Sequence, residues 1–265
     1  MNSSLDALPA AASGTNLRAR ERLLSLAHEP LFLADWDRAL MIHYEVDPEA
    51  LQSAVPFDLD LIDGTAYVSL VAFTLRRMRP HFGGPVLEWL LKPIATHHFL
   101  NCRTYVRCRG ESSIYFMTEW LANRLSVHLG PIAFGLPYRY GTITYNHDHA
   151  KNRLTGRVLD PSGPGFEYRA ELETAAAPCE CEPGSLAEVL MERYTAFTCA
   201  RGTPRFFRVW HEPWKQQPSR VEILDQSLLE ANWPFFKGAT PVSANYSPGL
   251  QDVWMGWPHP VSRIK

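Results

Sequence analysis

Three neighbouring stretches decide how this chain reads: L-N-C-R-T-Y-V-R-C over residues 100–108, I-Y-F-M-T-E-W-L-A-N-R-L-S-V over 114–127, and F-G-L-P-Y-R-Y-G-T-I-T-Y over 134–145. Strand side chains alternate between two faces. Leu100, Cys102, Thr104 and Val106 therefore share one face, and Asn101, Arg103, Tyr105 and Arg107 the other. One small apolar face and one Arg/Tyr/Asn face suit the wall of a barrel with a polar lumen. The same alternation groups Tyr115, Met117 and Glu119, opposite Ile114, Phe116, Thr118 and Trp120. Both of those faces are largely apolar, as in a strand covered on two sides. A short helix and the turn Leu136-Pro137-Tyr138-Arg139 lead into the third stretch.

Similar patterns continue on both sides. Upstream, Leu40, Ile42, Tyr44 and Val46 alternate with Met41, His43 and Glu45. Asp47-Pro48-Glu49 then opens a helix, with Asp as N-cap and Pro at the first helical position, ending before Pro56. Phe57 to Leu61 alternates, and Asp63-Gly64 is a two-residue hairpin signal before a strand from Ala66 to Leu75. Residues 76–98 carry glycines and the apolar V-L-E-W-L-L, which suits either a helix packed on a barrel end or a lid over its mouth. Downstream, Arg153–Leu159 and Phe166–Leu172 form a hairpin, and Ser185 to Glu188 is a capping box for a helix through Tyr194. Arg205–Trp210 and Val221–Leu224 read as further strands. Many short strands with few helices predict a mainly β (α+β) fold, a closed, antiparallel β-barrel with several helices at its ends. Residues 31–265 are expected to form one domain. Residues 1–30 form an N-terminal extension, disordered over 1–16 with a short basic helix over 17–27.

Of the 265 residues, 46% are hydrophobic and 12% aromatic, enough for a substantial core. A formal charge of −2 offers no basic surplus for displacing counterions from phosphates, so no nucleic-acid partner is expected. No run of about 18 apolar residues predicts a membrane span. The start M-N-S-S-L-D-A-L-P-A lacks a basic region followed by an apolar run, and Cys102, Cys108, Cys179, Cys181 and Cys199 are odd in number and irregularly spaced. Free thiols and a cytoplasmic location are the expectation. The positive charge is nearly all arginine, with lysine only at 92, 151, 215, 237 and 265.

The ordered series of motifs resembles the bacterial family known as domain of unknown function 2071, a branch of the acetoacetate decarboxylase-like superfamily. It includes R-A-L-M-I-H-Y-E-V-D-P-E-A-L from Arg38, D-G-T-A-Y-V-S-L-V-A-F from Asp63, G-S-L-A-E-V-L-M-E-R-Y-T-A-F-T from Gly184, V-W-H-E-P-W from Val209 and N-Y-S-P-G-L-Q-D-V-W from Asn245. The resemblance implies an acetoacetate decarboxylase-like barrel with its pocket in the lumen. Superfamily members are often oligomeric, so a homo-oligomer is compatible with it. In the decarboxylases the matching turn carries Phe-Pro and two adjacent lysines, one of which forms the Schiff base. Here the run is Leu136-Pro137-Tyr138-Arg139, and neither a phenol nor a guanidinium forms an imine.

Arg103, Tyr105, Tyr138 and Arg139 are then candidates for binding a small anionic or carbonyl ligand, with the guanidiniums clamping a carboxylate. Glu119 is the candidate acid or base, at a position where the resembling family more often has an apolar residue. The alternative is a structural ion pair of Glu119 with Arg103 or Arg139. His43, beside Tyr44 where many relatives have His-Trp, is a candidate proton shuttle or a structural histidine. His97-His98 and His147-Asp148-His149 read as polar surface loops without a third ligand at metal spacing, so no metal is expected. No cofactor is expected, because no Walker or Gly-rich dinucleotide motif is present. Cys179-Glu180-Cys181 lacks the spacing and helix start of a redox motif. The aromatic cluster Trp233, Phe235, Phe236, Tyr246, Trp254 and Trp257 suits core packing or an apolar pocket wall. The resulting expectation is lyase- or isomerase-type chemistry on a small carboxylate or oxo-acid, or a non-catalytic binding barrel.

Overall fold

A computed structural model of the chain describes residues 14–173, 177–200 and 202–264. The expected disorder of residues 1–13 lies outside the described residues. The strands are β1 (Phe32–Val46), β2 (Asp58–Leu59), β3 (Ala66–Pro80), β4 (His97–Cys108), β5 (Glu111–Leu121), β6 (Tyr138–Tyr140), β7 (Thr142–Asp148), β8 (Arg153–Leu159), β9 (Gly165–Leu172), β10 (Cys179–Glu180), β11 (Thr195–Ala200), β12 (Thr203–Trp210), β13 (Lys215–Asp225), β14 (Pro241–Met255) and β15 (His259–Pro260). The helices are α1 (Gly14–Leu24), α2 (Pro48–Ala54), α3 (Gly84–Leu91), α4 (Arg124–Ala133), α5 (Leu186–Met191) and α6 (Ser227–Asn232).

The fold is mainly β. Hydrogen-bonded strands run in the order β15-β12-β11-β5-β4-β3-β1-β14-β13-β9-β8-β7, and a further short pairing joins β12 to β14. That pairing sets Val209 opposite Met255 and Trp210 opposite Trp254. Most pairings are antiparallel, but β5 runs parallel to both β11 and β6. A parallel neighbour needs a crossover, and α4 supplies the one between β5 and β6.

Two apolar cores lie on opposite faces of the β1-β3-β4-β5 sheet. Leu40, Ile42, Tyr44, Leu70, Leu100 and Cys102 belong to the first core, with side chains from β7, β8, β9 and α6. Met41, Val71, Phe73, Phe99 and Phe116 belong to the second, with side chains from α5, β11 and β12. The predicted aromatic cluster divides accordingly. Phe236 and Tyr246 are buried in the first core, Trp233 and Phe235 pack on it, and Trp257 is exposed.

Local signals account for most element ends. Asp47 caps α2 by accepting from the Ala50 N–H at 2.7 Å, and Asp63-Gly64 turns with both residues at positive φ. Ser185 caps α5 as predicted, but the helix ends at Met191. There Glu192 leaves helical geometry, and its carboxylate accepts from the Tyr194 hydroxyl and the Trp214 N–H. The first helix starts at Gly14, earlier than predicted, because buried Asn16 donates to the His211 carbonyl at 2.5 Å and the Tyr194 hydroxyl at 3.0 Å. β14 has no counterpart among the predicted strands, since Pro248 and Gly249 interrupt its pattern. Gly249 sits at φ +126°, and a Cβ there would overlap the Trp36 carbonyl of β1.

Candidate functional site

The second core is incomplete. Between the β4–β5 face and helices α3 and α4 lies a cavity of about 360 Å³, lined mainly by apolar side chains such as Trp36, Phe73, Phe99, Phe116, Leu136 and Phe207. Asn101 and Arg103 reach it from the middle of β4 and Glu119 from near the end of β5. A β-bulge makes this convergence. Cys102 pairs with Thr118, but Arg103 pairs with Phe116, so Met117 is an extra residue on β5. Beyond the bulge the side-chain parity is reset. Glu119 therefore shares the cavity face with Phe116, and the predicted grouping of Glu119 with Tyr115 and Met117 is corrected. Its Cα partner is Asn101.

Glu119 is 4% exposed, and its Oε2 is buried without a hydrogen-bond partner among the described residues. Burial pushes its carboxyl up to about 8, with the nearby Arg103 charge offsetting part of the rise. Arg103 is equally buried. Its Nη2 donates to the Leu190 carbonyl at 3.1 Å and approaches the Met41 sulfur at 3.7 Å, while its Nε has no partner. No ion pair within 4 Å joins Glu119 to Arg103 or Arg139 among the described residues. The cavity's other arginine, Arg193, is paired with Asp60 at 3.0 Å. Asn101 Oδ1 and Ser126 Oγ are further buried, unpartnered atoms of the lining.

Tyr138 lines the cavity from β6, where its Cα pairs with that of Glu119. Its ring rests on α4 at Gly130, where any Cβ would overlap it. Burial, reinforced by Glu119, pushes its phenol well above the ordinary value, so the hydroxyl stays protonated.

Other predicted residues fall elsewhere. Arg139 is exposed and donates to Asn232 Oδ1 at 2.6 Å, outside the cavity lining; alternation on β6 points it away from Tyr138's side. Tyr105 and His43 are buried behind the lining. Their side chains form one chain: His43 Nδ1 to Ser69 Oγ at 2.6 Å, Ser69 Oγ to the Tyr105 hydroxyl at 2.6 Å, and that hydroxyl to the Leu190 carbonyl at 2.9 Å. Burial, then the Arg103 charge, lowers His43 to about 3, so it is neutral at physiological pH.

His97 and His211 also line the cavity. His97 is not in a surface loop: it begins β4, buried, with both ring nitrogens unpartnered, and burial lowers it to about 4. Continuing the 101–103–105 alternation back two pairs of residues would have placed it on the cavity face. His147 is likewise buried, between the Arg38 carbonyl at 2.7 Å and the Tyr168 hydroxyl at 2.7 Å. Among the described residues no group of three or more His, Cys, Asp or Glu is arranged to hold a metal ion. The described lysines, Lys92, Lys151, Lys215 and Lys237, are all exposed, and none lines the cavity. No helix of the described residues is long and apolar enough to cross a membrane.

The fold is that of acetoacetate decarboxylase-like proteins. Acetoacetate decarboxylase from Legionella pneumophila superposes with a TM-score of 0.61 at 13% identity, over 96% of this chain and 97% of that one. The enduracididine biosynthesis enzyme MppR complexed with pyruvate superposes with a TM-score of 0.60 at 12% identity, over 91% and 93%. Within that fold, residues 33–251 match the model of the DUF2071 family, described as an uncharacterized conserved protein, and the chain belongs to this family. A further relative is the uncharacterized protein YqjF of Bacillus subtilis (strain 168), 29% identical over 200 residues, spanning 74% of this chain and 79% of the relative.

Proposed function

We propose that the strands from β12 through β11, β5, β4, β3 and β1 to β14 act as a barrel whose lumen binds a small carboxylate or oxo-acid. Arg103 holds the carboxylate, and Glu119 transfers a proton in lyase- or isomerase-type chemistry that uses no Schiff base. One observation carries this reading: a buried carboxyl and a buried guanidinium face the same cavity, and neither has the other as an ion-pair partner. An unpartnered buried polar atom costs about 1–3 kcal/mol, more when charged. An anionic ligand would satisfy Arg103 and Glu119 together, because a carboxyl near its protonation midpoint can donate a hydrogen bond to the bound oxygen. With its carboxyl raised to about 8, Glu119 is mostly protonated at neutral pH and suited to acid–base work. Tyr138 adds a neutral donor beside it. The pyruvate bound by the structurally similar MppR agrees with this ligand class.

A non-catalytic binding role is the second reading, favoured by the largely apolar lining. Two measurements separate them. A thermal-shift series of oxo-acids should stabilise the protein by about 2.7 kcal/mol at a hundredfold excess over Kd. Arg103→Met should lose that shift. NMR in deuterated water should then show exchange of the α-hydrogens of a bound oxo-acid, lost in Glu119→Gln while binding persists. Binding without exchange would establish the second reading, and no binding by any acid would remove both.

A further inference from the structure

The cavity has two chemically distinct parts. Its deep wall is the middle of β4 and the adjoining end of β5, where Asn101, Arg103 and Glu119 present buried polar atoms without partners among the described residues. Its outer wall is α3, the turn after it, and α4. There Leu91, Ile94, Leu129 and Ile132 line the space. Leu129 and Ile132 are also 43% and 79% exposed, so α4 borders both the cavity and solvent. The apolar character does not stop at the rim. Val86, Trp89 and Leu90 of α3 and Leu125 of α4 are exposed, and α3 buries none of its residues. Exposed apolar side chains of α3 and α4 thus adjoin a mostly apolar cavity wall, a clustering that singly scattered surface residues do not produce.

Size points the same way. A space of about 360 Å³ holds roughly a dozen water-sized volumes at ~30 Å³ each, more than a three-carbon acid needs. We infer that the site takes amphiphilic acids: a carboxylate or oxo-acid head at Arg103 and Glu119, and an apolar body that extends past Phe73 and Phe99 to leave between α3 and α4. This inference rests on the anion-site reading above and adds the substrate class to it.

The test is calorimetric titration with acetate, butyrate, hexanoate and octanoate, with octanol as the uncharged chain. Affinity should rise about fourfold per added methylene until the chain reaches the rim. Octanol should bind at least about tenfold more weakly than octanoate, as a charge-assisted hydrogen bond is lost. Ile132→Asp, at an exposed position that tolerates substitution, should weaken octanoate about tenfold and leave butyrate unchanged. Equal affinity along the acid series would overturn the amphiphile inference while leaving the Arg103–Glu119 head site intact. Octanol binding as tightly as octanoate would instead overturn the head site. Octanoate binding unaffected by Ile132→Asp would remove the α3–α4 exit, and no binding by any acid would overturn both proposals.

Discussion

Glu119 shows most directly how one residue's surroundings become a measurable property. Its folded-state value of about 8 lies above the ordinary 4.5 because burial removes water from the charged form. Between those values the folded state keeps a proton that the unfolded state has released. The Glu119 contribution to stability is therefore fully present below pH 4.5 and is lost as pH rises through about 8. Glu119→Gln, which stays neutral throughout, should flatten the fall in denaturation midpoint over that range and be the more stable protein at pH 9. Equal slopes for the two proteins would mean that Glu119 is ionised at neutral pH. Anion binding adds a linked effect: neutralising Arg103 removes the charge that favours the carboxylate, so affinity for acids should weaken above pH 8.

Two elements shape the opening and can be tested separately. α4 approaches β6 so closely that Gly130 is required by contact, not by backbone conformation: the Tyr138 ring occupies the place of a Cβ. Gly130→Ala should cost about 1–3 kcal/mol through overpacking, despite the better helix propensity of alanine. It should also reduce acid binding by displacing Tyr138. A gain in stability would show that the ring is free to move. α3 presents the opposite case. With none of its residues buried, it has little tertiary packing to hold it, and a helix this short is marginal by itself. Its amides, residues 84 and 86–91, should exchange among the fastest of the helical amides and slow when octanoate is bound. Slow exchange without ligand would favour a permanently packed helix over a lid.

Across the whole molecule, buried histidines should govern the response to acid between pH 6.5 and 4. His43 is lowered to about 3, and His97, His147 and His211 to about 4, in each case chiefly by burial. These groups stay neutral in the folded state while the unfolded chain takes up protons near 6.5. Their contribution is full above 6.5 and is lost as pH falls toward 4. Glu29, Glu119 and Glu192, each raised chiefly by burial, oppose this in part, since a carboxyl raised in the folded state binds its proton more readily there than in the unfolded chain. Urea midpoints should fall steeply from pH 6.5 to 4, and His147→Gln should reduce the slope by about one proton, ~1.4 kcal/mol per pH unit. A flat acid limb would mean that these rings reach solvent.

Alternation in residues 40–46, 66–75 and 100–107, capping at Asp47 and Ser185, and the Asp63-Gly64 turn were legible in the sequence because each depends on neighbours a few positions apart. So was the lack of a Schiff-base lysine in the Leu136–Arg139 run, which is a matter of residue identity. Arg103, Glu119 and Tyr138 could be picked out as candidates, but not the face of β5 from which Glu119 reaches the cavity. That depends on the one-residue bulge at Met117, which resets the parity of β5, and no local pattern announces a bulge. Arg139 could not be separated from Arg103 by type, since only the pairing of β6 with β5 decides which side chain faces inward. His97 and His147 looked like loop residues because their strands begin or end with polar residues, and burial there comes from partners distant in the chain. β14 was hidden by Pro248 and Gly249, whose conformation makes sense only against Trp36 of β1. Local propensity and residue chemistry therefore determined the class of fold and the kinds of group available. Long-range strand pairing decided which of those groups share a cavity, because register and burial are properties of contacts that sequence proximity does not contain.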